Sequence, residues 1–276
     1  MKNSNISDYQ FETNDWLFYS RNIFKHAGWK ASYKQFWKHI RRPWSRKKIK
    51  EFSPSGYGIE LGCGTWTIAP SNRTILSDAF SSHAGNASLA KVFFDAACIP
   101  YKDQSFNFVL SEHVLEHIYD PITTLIEWKR VLCCKGKLFL FLPHKDRMFD
   151  KDRELTELVD LKKRLVEDPK KIQEEILEDW MAKVINRNLA EHYKSVEPRE
   201  MLSNGTIHYN VWKPIQVVNL LNDLGFEVLL VEEKVPDRID SFVVIAEKKR
   251  TTILNETFLP RITGLVWSQR TLPCNG

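Results

Sequence analysis

Between Tyr57 and Lys248, short apolar runs rich in β-branched and aromatic residues alternate with stretches whose apolar positions recur every three or four residues. The first kind, at 57–61, 74–78, 92–96, 106–111, 137–142, 226–232 and 241–247, predicts strands. The second predicts helices over 121–133 and 214–224; the latter, PIQVVNLLNDLG, opens on a proline and stops at a glycine. Alternation of this kind predicts an α/β fold, a Rossmann-like and mostly parallel seven-stranded sheet with helices on its faces. FEVLLVEEKVPDRIDSFVVIAEKK joins the last two strands by a turn too short for a parallel crossover, so the final strand is expected to be antiparallel.

Residues 145–207 interrupt the alternation. They are charged and helical, and Pro169 splits them. Loops after strand C-termini are where open sheets bind ligands, so this helical insert after the fifth strand reads as a cap over a pocket; a solvated helical hairpin is the plainer alternative. The tail 251–276 has no clear period and reads as an irregular arm. The predicted organisation is an N-terminal segment 1–50, a main domain 51–250 carrying the insert, and the arm.

Charge changes the picture at the N-terminus. The formal net charge is +5, yet eleven Lys or Arg and no Asp or Glu fall between Arg21 and Lys50. The remaining residues therefore sum to about −6. In that basic segment Trp29, Tyr33, Phe36, Trp37, Ile40 and Trp44 form a helical stripe flanked by Lys30, Lys34, Lys38 and Arg41, and Pro43 is expected to end the helix. Such a helix either packs on the main domain or meets an anionic surface, membrane headgroups or a phosphate-bearing substrate. No nucleic-acid motif accompanies the charge, so nucleic acid is not an expected partner. MKNSNISDYQ lacks the apolar core of a signal peptide, and the longest apolar run, LFLFLP at 138–143, is too short to cross a bilayer. The five cysteines show no disulfide or zinc spacing. A reduced cytoplasmic setting follows, peripheral to the inner face of the membrane if the basic helix docks there.

Candidate chemistry begins at GYGIELGCGTWT. Strand residues lead into Gly62 and Gly64, which permit a tight turn and close approach to a ligand, and Asp78 ends the next strand, placed to accept from a ribose diol. Both features suit a dinucleotide as well as S-adenosylmethionine. The dinucleotide fingerprint, however, needs a third glycine where Thr67 stands. Only nine residues separate Gly64 from Thr74, room for one or two helical turns, so the usual diphosphate cradle is missing. S-adenosylmethionine has no phosphate and does not need it.

The run FFDAACIPYKDQSFNFVLSEHVLEHIYDPITTLIEWKRVLCCKGKLFLFLP then resembles the class I S-adenosylmethionine-dependent methyltransferases, in the type 11-like group. The residues that carry the resemblance are Asp95-Ala96 with Ile99-Pro100, Ser105-Phe106, Glu116-His117, and Arg130-Val131-Leu132 with Gly136. It covers 57–143 well and 210–248 more loosely. PHKDRMFDKDRELTEL is similar to a bacterial subgroup associated with polysaccharide biosynthesis. The resemblance implies S-adenosylmethionine as cofactor and a small-molecule or glycan acceptor, with methyl transfer to an oxygen. It implies Glu60, Gly62 and Gly64 at the methionine end, Asp78 on the ribose, Asp95 and Ala96 at the adenine, and Ser111 and Glu112 lining the transfer side. Asp78 and Asp95 have a plainer reading as strand-end turn acids. Trp66 occupies the family's third-glycine position, where it either crowds the cofactor or turns away to pack.

His113-Val-Leu-Glu116-His117 also spells the inverted zinc-peptidase motif, which requires both histidines on one helix. A strand ends just before His113, and Asp120-Pro121 starts the next helix, so no metal site is expected here. A zinc hydrolase and a non-catalytic binding protein of the same fold are the alternatives to a methyltransferase. By resemblance, His117 is the candidate catalytic base, a role its ordinary pKa suits. His113 reads as a corner residue bonded to backbone, and His144, His192 and His208 are rival bases. Asp146, Arg147, Asp150 and Arg153 form either an acceptor-binding cluster or a solvated loop.

Overall fold

The structure is a computed structural model that describes residues 4–11, 42–83, 86–190 and 193–249. Its sheet contains β1 (Gly58–Leu61), β2 (Thr74–Asp78), β3 (Val92–Phe93), β4 (Phe106–Glu112), β5 (Leu132–Pro143), β6 (Phe226–Glu232) and β7 (Ser241–Lys248). The strand order is β3-β2-β1-β4-β5-β7-β6. The first five are mutually parallel, and β7 runs antiparallel to both neighbours. This is the mostly parallel Rossmann-like sheet with one antiparallel strand that the sequence pattern predicts.

The helices are α1 (Pro43–Phe52), α2 (Pro121–Val131), α3 (Leu158–Arg164), α4 (Pro169–Trp180), α5 (Pro198–Ser203) and α6 (Pro214–Asp223). Leu138, Leu140 and Leu142 of β5 face a core shared with Leu125 and Trp128 of α2 and Val217, Leu220 and Leu221 of α6. Phe139 and Phe141 point the other way and pack with Ile49 of α1, Phe108, Val243 and Ile245. A strand buried on both faces needs apolar residues at consecutive positions, which is why LFLFL does not alternate.

Several boundaries differ from expectation. The strand at 92–96 shrinks to two residues, β5 begins at Leu132 rather than 137, and α2 stops at Val131 rather than 133. Pro43 is the first residue of α1, where a proline's missing N–H costs nothing; the helix it is expected to end lies outside the described residues. Because α1 runs from 43 to 52, it crosses the expected boundary at 50/51. The basic stripe from Trp29 to Ile40, the arm 251–276 and His192 lie outside the described residues. Cys98 is disulfide-bonded, against the expectation from cysteine spacing, whereas Cys63, Cys133 and Cys134 are free thiols.

The insert forms its own small core. Pro169 opens α4 with Asp168 as its cap, and the helix runs on into one π-helical turn, Met181–Ile185. Trp180, Val184, Ile185, Met201, Ile207 and Tyr209 pack together there. Its far end returns to the sheet: Asn210 N–H donates to Glu116 O (3.1 Å) and Lys145 N–H to Trp212 O (2.9 Å). No helix among the described residues is long and apolar enough to cross a membrane.

Candidate active site

Each strand of a parallel sheet ends with unpaired backbone at its C-terminal edge, and here three such ends lie side by side. After β1 the chain turns through Gly62 (φ +71°) and Gly64 (φ +55°). Gly62 and Cys63 N–H groups donate to Ser77 O (2.9 and 3.0 Å). A Cβ on Gly62 would come within 2.3 Å of Val114 Cγ2, whereas one on Gly64 would meet only His83 Cδ2 at 3.9 Å. Gly62 is therefore required for packing, and Gly64 opens onto free space.

Asp78 closes the turn from the β2 side. Its Oδ2 accepts from Gly64 N–H (2.7 Å) and lies 3.0 Å from His83 Nε2, and its Oδ1 accepts from Phe80 N–H (3.0 Å). Burial pushes this carboxyl up, but the bonds from His83, Phe80 and Gly64 outweigh it and hold its pKa below the usual value. The Asp78 bond in turn raises the pKa of His83. His83 sits on a small ribbon, Ser82–His83 paired with Asn86–Ala87, that the sequence pattern does not reveal.

Glu60 is placed differently from the family-based expectation. Its carboxyl is enclosed and accepts from the Thr67 hydroxyl. Burial is the main reason its pKa rises to about 8. Thr67, standing where a dinucleotide site would need glycine, thus serves as an internal partner, and its Oγ1 also accepts from Ala69 N–H (2.9 Å). Only the 3-10 turn Ser71–Arg73 stands between β1 and β2. Trp66 lies against the guanidinium groups of Arg42 (5.1 Å) and Arg238 (5.0 Å). Both arginines pair with Glu112, at 2.6 and 3.3 Å. Trp66 has packed on this charged pair, and Glu112 is committed to it.

Ser111 Oγ, beside Glu112, is buried and has no hydrogen-bond partner. Asp95 is exposed just past β3, with Oδ1 accepting from Ala97 N–H (2.8 Å), and Ala96 O accepts from Trp128 Nε1–H (2.9 Å). Asp78 and Asp95 follow successive strands, Gly64 leaves room beside Asp78, and the Ser111 hydroxyl has no hydrogen-bond partner among the described residues. Glu60 does not present its carboxyl to a ligand there.

The second half of the site begins at His113, whose φ of +53° turns the chain sharply off β4. Leu115–His117 form a single 3-10 turn, and Asp120 caps α2 by accepting from Thr123 N–H (3.0 Å). The continuous helix of the inverted peptidase motif is therefore not formed. His113 also points elsewhere, with Nε2 2.6 Å from Ser241 Oγ and its backbone N–H donating to Phe141 O.

Glu116 and His117 instead meet residues of the insert. His117 Nδ1 lies 3.0 Å from Ile207 O, and His208 Nδ1 lies 2.6 Å from Asp150 Oδ2. Since a carbonyl and a carboxylate only accept, both Nδ1 atoms carry a proton, and in the neutral form of each ring Nε2 is left as the acceptor. The two rings meet edge to face at 4.6 Å. Glu116 is completely buried, and neither carboxyl oxygen has a hydrogen bond among the described residues. Its Oε1 lies 3.5 Å from His113 Nδ1 and 3.9 Å from His117 Nε2. Burial raises the Glu116 pKa to about 7 and, with the neighbouring His208, lowers that of His117 to about 3.

Asp150 and Arg153 are not a solvated loop. Both are buried; Arg153 donates to Asp150 Oδ1 (2.9 Å), His208 O (2.8 Å) and Asp179 Oδ2 (2.7 Å). Asp146 pairs with Lys213 (2.8 Å), and Arg147 donates to Glu233 O and Ser241 O. His144 stands apart, with Nε2 3.5 Å from Glu233. Sequence reasoning treats Glu116 only as part of a motif and does not connect Asp150 to His208. The available signal is IHYNVW at 207–212, two polar residues inside an apolar run, and all six are buried.

Residues 59–140 match the family model described as a methyltransferase domain. Over that stretch the chain is similar to methyltransferase domains. An uncharacterized protein of Methanocaldococcus jannaschii is 31% identical over 107 residues, 37% of this chain. The chain spans about half the length of that curated relative, 52%. Among solved structures, an S-adenosylmethionine-dependent methyltransferase from Thermotoga maritima is 16% identical with a TM-score of 0.45, covering 85% of this chain and 100% of its own. One from Aquifex aeolicus is 14% identical with a TM-score of 0.41, covering 76% and 93%.

Proposed function

With a methyltransferase domain over residues 59–140 as the premise, we propose that this protein methylates a hydroxyl oxygen of a sugar, glycolipid or other small-molecule acceptor. The observation that carries the reading is the pair of free imidazole nitrogens beside an unpaired buried carboxylate, beyond the end of β4 and under the insert. S-adenosylmethionine, when bound, supplies an electrophilic methyl group on a sulfonium sulfur. The protein's task is to hold the acceptor oxygen in line with it and remove that oxygen's proton.

His117 is the partly exposed member of the cluster, so it is the one an acceptor meets first. Alone it is a weak base, because burial disfavours its charged form. Glu116 behind it changes that. The two groups take up one proton as a pair, and the pair's affinity for it is set near 7 by the Glu116 carboxyl. His117 relays the proton, and Glu116 retains it. The sugar or glycolipid class is supported by the resemblance of PHKDRMFDKDRELTEL to enzymes of polysaccharide biosynthesis.

Asp78 provides the test of the cofactor. Calorimetry should show S-adenosylhomocysteine binding to the whole chain, and Asp78→Ala should weaken it by about 1.5–3 kcal/mol, the loss of a charged hydrogen bond. Binding of NAD in place of S-adenosylhomocysteine would overturn the reading.

The basic segment extends the proposal to location. Its charge supports peripheral contact with anionic lipid. Co-sedimentation with phosphatidylserine vesicles should be strong at low salt, decline steeply as salt rises, and vanish when residues 1–41 are removed. Equal binding to neutral vesicles would rule out an electrostatic contact.

A further inference from the structure

We propose that Glu116, His117 and His208 form a binding site for a divalent transition-metal cation, of the zinc, manganese or cobalt kind, that holds the acceptor hydroxyl. The ligand atoms of these three residues lie within 4.8 Å of one another, close enough that small side-chain rotations would seat them on one ion with bonds of about 2.0–2.2 Å. Two imidazoles and one carboxylate on one side of an ion leave its other positions open for substrate oxygen or water.

Two independent features of the surroundings point to a cation. The first is the unsatisfied carboxylate. Glu116 is fully enclosed with neither oxygen hydrogen-bonded among the described residues, and an unpaired buried carboxyl is costly unless something positive faces it. Among the described residues no Lys or Arg makes an ion pair with it within 4.0 Å. The second is the arrangement behind the histidines. A metal-bound imidazole almost always donates its other N–H to a carboxylate or backbone carbonyl, which fixes the tautomer and aims the free nitrogen. Here His208 is aimed by Asp150 and His117 by Ile207 O, one with each kind of partner.

Asp150 is itself held by Arg153, so the orienting layer continues one residue deeper. Phe149 and Trp180 pack against the His208 ring at 4.7 and 5.6 Å and restrict its rotation. His117, the partly exposed member, marks the side from which an ion and an acceptor would enter. This set is not the peptidase motif of the sequence. His113 is excluded by its bond to Ser241, and the second histidine comes from the far end of the insert, more than 90 residues later.

The assignment rests on the reading of this cluster as the acceptor site. With an ion present, a coordinated acceptor hydroxyl loses its proton to water more readily, as metal-bound water does. Glu116 and His117 then act as ligands, and the proton relay is needed only in the metal-free protein.

The test is direct binding to the full chain after EDTA treatment and removal of the chelator. Titration with Zn²⁺ and Mn²⁺ should show one site per chain, and Co²⁺ should give visible absorption bands from nitrogen and oxygen ligation. Glu116→Gln, close in shape to the native side chain, should lose the site in protein whose melting curve shows it folded. Asp150→Asn should keep one site but weaken it about 10–100-fold, as loss of an orienting partner does. Unchanged affinity in folded Glu116→Gln would overturn the assignment, as would a wild type that binds none of the three ions. S-adenosylhomocysteine affinity measured on the same samples separates the two readings: if it binds and no metal does, the cation site alone fails.

Discussion

His117→Ala folds like the wild type, keeps its affinity for S-adenosylhomocysteine, and loses about 10²–10⁴-fold in turnover, the usual contribution of a general base. The expectation follows from the position of the ring. It is partly exposed, it makes one hydrogen bond to a backbone carbonyl, and its Nε2 points at Glu116 without bonding to it. A ring that only packed would be missed in stability and not in rate. The pH profile adds a readout that packing cannot imitate. The Glu116–His117 pair must be deprotonated to accept, and burial sets the Glu116 carboxyl at about 7. Metal-free wild-type turnover should therefore rise with pH through about 7 and level off above it. In His117→Ala the rate should remain low at neutrality and recover in part at high pH, where the acceptor hydroxyl ionises unaided. Near-normal turnover in the folded variant, measured with any accepted substrate, would remove His117 from the mechanism.

What the sequence discloses and what it conceals divide along the range of the interactions involved. Strand positions and the antiparallel end follow from local rules: apolar runs of strand length, Pro214 and Gly225 bounding α6, and a connection between β6 and β7 too short to cross over. Gly62, Gly64 and Asp78 are legible for the same reason, since one turn brings them together. Local rules fail where two readings share one residue. Pro43 suits the end of one helix and the start of the next, and reading it only as an end misses the helix that Pro43 opens. The long-range pairs are invisible. Nothing within ten residues of Glu60 says that Thr67 will turn back onto it, because a full helix there would have carried Thr67 away. Trp66 settles against Arg42 and Arg238, partners 24 residues before it and 172 after, brought in by α1 and the loop before β7. His208 and Asp150 stand 58 residues apart and meet only because the insert folds on its own core. A pattern read residue by residue can flag a polar side chain in an apolar run, as at His208 and Asn210, but it cannot name the partner.

Asn210 is the second residue whose loss should be large, and its effect should fall on stability first. Its Nδ2 donates to Leu115 O (3.0 Å) and Ile118 O (2.7 Å), and its Oδ1 accepts from Arg164 (2.7 Å). Arg164 also donates to Tyr119 O and Tyr209 O, both at 2.9 Å. One amide thus ties the Leu115–His117 turn to a buried guanidinium of the insert. Burial lowers the Arg164 pKa to about 10, so the group is charged at neutral pH and needs every acceptor it has. Asn210→Ala removes the side-chain donor of Ile118 O, leaves Leu115 O only its longer bond from Ile118 N–H (3.3 Å), and takes one acceptor from a buried charge. The carbonyl of Ile118 costs about 1–3 kcal/mol and the charged bond about 1.5–3, with partial relief from any water that enters. A net loss of about 3–4 kcal/mol is expected in urea unfolding, seen as a lower midpoint at unchanged slope. The turn that carries Glu116 and His117 should loosen before the sheet does, so the amide of Ile118 should exchange faster in the variant under conditions where amides of β4 remain protected. A stability loss below about 1 kcal/mol would mean that water replaces the amide, and that the turn is held by its own backbone bonds, His117 N–H to Val114 O and Ile118 N–H to Leu115 O.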